Sequence, residues 1–369
     1  MKKLNEKEWQ PKPVAVMFNK LIPGKGKGLN HLKQAETGIN YIGATNRDNG
    51  VLCIVEDDET SSKMVQDGNC IGFIKNGDGS AGYAIYKQEP FISTSDVIYG
   101  YADWLDEDTG LFFVVAQDMI EAKYSHGYKR NKQHLRGDKV MLPVTDSGEP
   151  DYEYMAGYTK QTREKLLSRY REYVAKRIAE LGEEVEIPAL SEMAWEKFKA
   201  FGDTCILEIA TTNSSIDSIR LIEGDEETLP YVTRSESNNG IARFVCEKNK
   251  SFGFDRSESI TVGLDTQTAY WQPHEFVTGQ NIQVITGKHL NEWSAQFLIP
   301  LLRMQMKAKF NWGGNGATLK RMKTLDLMLP VADSGEPDYE YMEQYAKNMM
   351  LRKYRQYLAY LDRQSKRQE

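Results

Sequence analysis

The sequence predicts an α+β protein: two similar mixed α/β domains, each closed by one long helix. Three observations carry that expectation. A fifteen-residue segment occurs twice with a single change, as MLPVTDSGEPDYEYM at 141–155 and MLPVADSGEPDYEYM at 328–342. Weaker echoes keep the same order around it: LNEKEW (4–9) with LSEMAW (190–195), YIGATNRDNGV (41–51) with YVTRSESNNGI (231–241), PFISTSDVIY (90–99) with EFVTGQNIQVI (275–285), and EAKYSHGYKR (121–130) with KAKFNWGGNG (307–316). After each copy of the repeated segment, apolar residues recur at helical spacing. A period near 187 residues is far too long for a solenoid. The duplication therefore makes two domains, and 369 residues suffice for two ordinary cores.

Within each half, CIGFI (70–74), GYAIY (82–86), DVIYGY (96–101), ARFVC (242–246), ESITVGL (258–264) and NIQVIT (281–286) are β-branched or aromatic and bounded by Gly, Asn or Asp. They read as strands. TGLFFVVAQDMIEAKY (109–124) and LNEWSAQFLIPLLRMQMKAKF (290–310) read as helices with one apolar face, the second expected to kink or break at Pro300. In the repeated segment, Asp146-Ser147-Gly148 and Asp333-Ser334-Gly335 supply a turn. Pro150 and Pro337 suit the first helical position, where a missing N–H costs nothing. Asp151, Glu153, Asp338 and Glu340 then lie at the positive end of the helix dipole.

The first long helix puts Met155, Tyr158, Thr162, Leu166, Tyr170, Val174, Ile178 and Leu181 on one face. The second does the same with Met342, Tyr345, Met349, Leu351, Tyr354, Leu358 and Leu361. Neither helix buries such a stripe alone, so the two are expected to pair with each other. GEEVEIPAL (182–190), with Gly182 and Pro188, is the linker between the halves. The expected organisation is a first domain over 1–146, a long helix over 147–182, a linker at 183–189, a second domain over 190–333 and a C-terminal helix over 334–369.

Composition is that of a globular chain, 40% hydrophobic and 27% charged. The N-terminus has lysines but no apolar run behind them, and no stretch approaches a membrane span, so a cytoplasmic protein without a membrane partner is expected. Cys53, Cys70, Cys205 and Cys246 are scattered and read as reduced thiols. A net charge of −6 argues by itself against a nucleic-acid partner, but the charge is unevenly placed. Residues 1–33, 123–139 and 303–323 are strongly basic, whereas the acids cluster in EDDE (56–59), GEEVE (182–186) and DEE (225–227).

Catalytic signatures are missing. GKGKG (24–28) imitates the glycine loop of S-adenosylmethionine-binding folds, but Pro23 precedes it and the second half has no matching glycines. It reads as a flexible basic loop. His31, His126, His134, His274 and His289 have no zinc spacing, so no metal site is expected. Neither a nucleophile elbow nor a P-loop is present. What remains is binding: the basic, glycine-containing segments at 124–139 and 310–323 suit phosphate contact and base-edge reading.

Two variable α/β halves, each closed by a shared block and a long helix, resemble the DNA-specificity (S) subunits of type I restriction–modification systems. The similar specificity subunits of type IIB systems match equally well. The resemblance covers the whole chain and rests on LNEKEW/LSEMAW, YIGATNRDNGV/YVTRSESNNGI and the MLPV–DSGEPDYEYM block in that order, twice. It implies two target-recognition domains that read the two parts of a bipartite double-stranded DNA site, an antiparallel coiled-coil pair of the long helices, and pseudo-two-fold symmetry. It also implies two copies of a methyltransferase subunit, fused to or joined by a nuclease. S-adenosylmethionine and N6-adenine chemistry then belong to that partner, and this chain has no cofactor or catalytic residue of its own. The block departs from the proline-rich strand end of many type I members, which leaves type I and type IIB both open.

Base-contacting residues do not carry over from the family. On physical grounds the candidates for DNA contact are Lys25, Lys27, Arg47, Tyr128, Lys129 and Arg130 in the first half. Arg234, Asn311, Trp312, Asn315, Lys320 and Arg321 are their counterparts in the second. Met155, Tyr158, Leu166, Tyr170, Val174, Met342, Tyr345, Met349 and Leu358 are the candidates for the helix pair and the partner. The competing expectations are a scaffold that binds no nucleic acid, and a chain with its own methyltransferase or nuclease activity.

Overall fold

The computed structural model describes residues 1–26, 28–77, 79–125, 127–202, 206–310 and 316–368. It divides into two compact units, Met1–Tyr170 and Arg171–Glu369.

Unit 1 begins with β1 (Trp9–Pro13) and the short α1 (Val14–Met17), then β2 (Lys20–Pro23), β3 (Gln34–Ile42), β4 (Val51–Val55) and the short α2 (Glu59–Ser62). It continues through β5 (Cys70–Ile74), β6 (Ala84–Lys87), β7 (Phe91–Ser93), β8 (Val97–Tyr101), α3 (Glu107–Asp118), the short α4 (Lys132–Gly137) and β9 (Lys139–Pro143). The strands form a four-stranded sheet in the order β2-β8-β5-β6, a three-stranded sheet β4-β3-β7, and a two-stranded ladder β1-β9. Period-two alternation explains the layering. Ile71, Phe73 and Ile98 face Phe112 and Phe113 of α3. Cys70, Ile74, Val97 and Tyr99 face Ile42 and Phe91 of the three-stranded sheet. Asp106 starts α3 by accepting from the Thr109 N–H at 2.8 Å, while Thr109 Oγ1 accepts from the Asp106 N–H.

Unit 2 repeats this connectivity strand for strand. Its strands are β10 (Trp195–Lys199), β11 (Glu208–Thr211), β12 (Glu227–Val232), β13 (Ile241–Cys246), β14 (Ser259–Gly263), β15 (Ala269–Gln272), β16 (Val277–Thr278), β17 (Ile282–Thr286) and β18 (Asp326–Pro330). The sheet orders are β11-β17-β14-β15, β13-β12-β16 and β10-β18. A long α5 (Tyr152–Leu181) follows β9. In unit 2, α6 (Glu292–Lys309) and the short α7 (Leu319–Met322) precede β18, and α8 (Tyr339–Gln368) follows it. All six strands read from the sequence are present, and each half is mixed α/β with a long helix, as expected.

Three expectations are corrected. Helix α6 runs through Pro300 without a break, because Pro300 lies on its exposed face, where the lost N–H bond is opened to water. The helix read at 109–124 ends at Asp118, and a 3-10 turn over Glu121–Lys123 follows. Pro150 and Pro337 do not occupy the first helical position. They sit two residues earlier, just before the caps Asp151 and Asp338, each of which accepts from a backbone N–H three residues on (Tyr154 and Tyr341) at 2.9 Å. The prolines instead bridge back to Val144 and Val331.

The stripe on the long helices also divides. Met155 and Tyr158 pack into the core of unit 1, and Met342 and Tyr345 into that of unit 2, rather than forming a helix pair. Each helix must seat its first turns on its own domain before the stripe is free for anything else. Within unit 2, the Arg171–Leu181 stretch of α5 runs against α8 in the opposite sense. Arg171 bonds Asp362 at 3.1 Å, Tyr173 meets the Tyr354 ring edge-on at 6.4 Å, and Val174 is fully buried. Met349 and Leu358 are half-buried on α8, whereas Leu166 and its neighbour Tyr170 lie on the unit 1 part of α5, Leu166 exposed. The linker follows α8 back: Glu184 pairs with Arg352, and the Val185 backbone exchanges two hydrogen bonds with the Asn348 side chain. No described helix is long and apolar enough to cross a membrane.

Candidate nucleic-acid interface

The ends of β2, β3, β5 and β7 and the start of β8 coincide at one end of unit 1, stitched by backbone bonds. Gly24 N–H donates to Val97 O, Gly26 N–H to Ser93 O, Thr94 N–H to Ile42 O, and Lys75 N–H to Asp96 O. Arg130 N–H then donates to Lys75 O, which brings the 124–131 segment to the same end. Ser80 Oγ donates to Asn46, joining the β3–β4 turn to the β5–β6 loop at 3.0 Å. The Asn-Gly echo seen in the sequence is the pivot of that turn: Asn49 and Gly50 are left-handed, and Asn49 Nδ2 donates to Tyr86 O. Asn239 and Gly240 do the same in unit 2, with Asn239 donating to Trp271 O.

Four of the candidates lie at this loop end. Lys25 is exposed, its N–H held by Gln66 Oε1 at 2.8 Å. Arg47 is exposed in the β3–β4 turn. Tyr128 is 44% exposed and stacked between Tyr124 and His134. Lys129 borders a cleft of about 580 Å³ that it shares with Asn76, Gly77 and Tyr124. Loops carried on a rigid pair of sheets, with cations and an aromatic face, form a surface able to meet phosphates and base edges.

Arg130 is not part of that surface. It is 0% exposed, spans the rings of Phe73 and Tyr124, and bonds Asp138 at 2.9 Å. Asp138 is buried too, and also accepts from the Tyr124 hydroxyl and from Lys123. A buried arginine is tolerated because this carboxylate, Gln117 and Gly82 O take its donors. Burial also raises the nearby Asp118 to about 6, against the Ala84 N–H and Arg130, which lower it. In the sequence, Arg130 sits in a basic run and looks like its neighbours; its only visible signal was Asp138, the single acid in 123–139.

Unit 2 gathers its loops at the equivalent end. Thr212 N–H donates to Ile282 O, Ile216 N–H to Thr278 O, Gly279 N–H to Val232 O, and Ala317 N–H to Leu264 O. Arg234 is exposed there and ion-paired to Asp265. Lys320 is exposed on α7, and Arg321 is half-buried, donating to Gly316 O at 3.1 Å. Lys27, Asn311, Trp312 and Asn315 lie outside the described residues. A residue that the sequence reading missed, Arg243 of β13, lines a cleft of about 390 Å³ with Arg234, Asp217 and Tyr231. An arginine inside the strand ARFVC carries no local mark that it points at a cleft.

The opposite end of each unit is the repeated part. β1 pairs with β9 from Trp9↔Pro143 to Pro13↔Lys139, and β10 with β18 from Trp195↔Pro330 to Lys199↔Asp326. In each unit the tryptophan that ends the first echo is thus paired with the proline of the repeated MLP block. Several large apolar side chains of this frame stay exposed at matching places: Leu4 and Leu190, Met141 and Met328, and Met119 and Met304 at 86% and 67%.

Residues 195–357 match the family described as "Type I restriction modification DNA specificity domain". The type II restriction enzyme BgcI specificity subunit S.BcgI of Heyndrickxia coagulans is 26% identical over 235 residues, 61% of this chain. The match spans 62% of that relative's length. Among solved structures, a type I restriction–modification S subunit from M. genitalium is 13% identical, with a TM-score of 0.46 over 98% of this chain and 94% of that one. The HsdS subunit from Thermoanaerobacter tengcongensis is 12% identical, with a TM-score of 0.30 over 96% of this chain and 91% of that one.

Proposed function

We propose that the whole chain is a sequence-specific DNA-recognition subunit of a restriction–modification complex, a reading supported by the match of residues 195–357 to the type I restriction modification DNA specificity domain. The observation that carries this reading is one frame built twice beneath two different loop ends. A single recognition surface needs one such unit; a bipartite DNA site needs two. Each loop end offers cations for phosphates, which position the protein, and polar side chains for base edges, which select the sequence.

The chain itself is not the catalyst in this reading. The adenine-N6 methyl transfer, with its S-adenosylmethionine, belongs to a partner subunit bound twice, once per unit. Support comes from the matched exposed residues of the frame: a partner that meets Met119, Met141 and Leu4 in unit 1 meets Met304, Met328 and Leu190 in unit 2. Docking there leaves both loop ends free for DNA.

The test is to map N6-methyladenine in the host genome with and without this chain. A bipartite motif that disappears on deletion is the expected result. Loss of no motif overturns the reading in favour of a scaffold. Methylation or cleavage by the purified chain alone, given S-adenosylmethionine or Mg²⁺, overturns the assignment of catalysis to the partner.

A further inference from the structure

The cleft of unit 2 holds two opposite charges that make no ion pair with each other. Arg243 is exposed on β13, in register opposite Tyr231 of β12, and makes no ion pair among the described residues. Arg234, in the same cleft, is already matched by Asp265. Asp217 precedes the Ser218–Arg220 turn, and its Oδ1 accepts the Ile219 N–H at 3.4 Å, leaving Oδ2 for another donor. Tyr231 ties the two walls together. Its hydroxyl donates to Ile216 O at 2.8 Å, pinning the Asp217 loop to the strand that faces Arg243. Burial raises the Tyr231 pKa, Asp217 adds to that and Arg243 opposes it, so both charges lie within electrostatic reach of one ring.

A phosphate site would gather cations and exclude a carboxylate. A guanidinium and a carboxylate lining one cleft match a different object: the major-groove edge of a G·C pair, which offers two acceptors on guanine and an amine donor on cytosine. We propose that Arg243 and Asp217 read one G·C pair in the half-site taken by unit 2. Arg243 donates to guanine O6 and N7, and Asp217 accepts from cytosine N4. The inference rests on the reading of the chain as a DNA-recognition subunit. Unit 1 places no arginine in the same register: opposite Tyr41 stands Cys53. The two half-sites therefore differ at this point.

The experiment expresses the full chain with its methyltransferase partner and maps methylated sites for wild type, R243A, R243Q and D217N. Wild type is expected to require G·C at one position of one half-site. R243A and D217N should relax that same position by about tenfold to hundredfold, leaving the other half-site unchanged. R243Q should move the preference towards A·T, because a glutamine amide matches adenine N6 and N7. Thermal unfolding of each variant at the wild-type temperature separates lost reading from lost folding, and the R243Q shift cannot arise from misfolding. The proposal is overturned if neither half-site requires G·C at the affected position. It is also overturned if R243A weakens all sites equally while the slope of affinity against salt falls by about one, the mark of a phosphate contact. A wild type without any bipartite motif overturns the underlying reading, and this proposal with it.

Discussion

In unit 1 the Trp9 indole donates to Leu4 O and its ring stacks on Phe112, which meets Tyr158 edge-on. In unit 2 the Trp195 indole donates to Leu190 O, stacks on Phe297, and Phe297 meets Tyr345 edge-on. Tyr154 and Tyr341 each reach back to a carbonyl before their first strand, Lys2 and Pro188. At the other end of the sheets this correspondence stops. The layer between the sheets in unit 1 packs Ile74, Ile85 and Val97 around one polar contact, the Tyr99 hydroxyl donating to Ser93 Oγ at 2.7 Å. In unit 2 it includes Thr261 and Gln272, hydrogen-bonded to each other at 3.0 Å. Unit 1 buries an arginine–aspartate pair beneath its loops; unit 2 leaves its Arg243 exposed. Connectivity was kept everywhere, and chemistry only in the frame. A surface that must fit the same partner twice is held fixed, whereas surfaces that read different sequences are released.

The largest expected effect separates the buried arginine from the exposed cations. Arg130→Ala strands Asp138 in the interior and should destabilise unit 1 by about 3–5 kcal/mol, read as an earlier unfolding transition in urea. Unchanged stability with weakened DNA binding would return Arg130 to the interface. The caps come next: Asp151→Ala and Asp338→Ala should each cost about 1 kcal/mol. Equal, negligible losses would mean that the long helices do not depend on their caps.

A smaller effect sharpens a charge difference within the frame. Lys7 bonds Asp151 at 2.6 Å, whereas its counterpart in the repeat is Met193. Burial works against the Asp151 carboxylate, but the Lys7 ammonium and the Tyr154 N–H outweigh it and hold its pKa below the usual range. With the folded pKa depressed, this stability is present above the ordinary carboxylate pKa and lost as pH falls through the folded one. Lys7→Met should therefore weaken unit 1 by up to about 1 kcal/mol at pH 7 and by nothing once Asp151 is protonated. A loss that persists in acid would point to packing instead. Smallest of all, Lys129→Ala should lower DNA affinity evenly across sequences and reduce the salt slope by about one. A change confined to one base position would make Lys129 a reader of sequence.

The duplication, the strands and the long helices were legible in the sequence because each has a local signature: near-identity, alternation, or helical spacing. The site was legible only as a region. Lys25, Arg47, Tyr128 and Lys129 come together because four strand ends coincide, but Arg130, one residue beyond Lys129, turns inward to Asp138. Charge type alone does not say which way a side chain faces. Arg243 was missed for the converse reason, since a strand residue becomes a cleft residue only through loops far along the chain. Pro150 misled by two positions because proline suits both the first helical turn and the residue before a cap.

The most direct test exchanges everything between the frame strands, α3 included, and keeps β1, β9 and α5. Residues 14–138, between β1 and β9, are replaced by residues 200–325, the interval between β10 and β18. The chimaera is expressed with the methyltransferase, and N6-methyladenine is mapped. Both halves of the methylated motif should then read as the half-site of unit 2. A motif that keeps the original first half-site would show that sequence is read by the frame, contradicting the division of labour derived above.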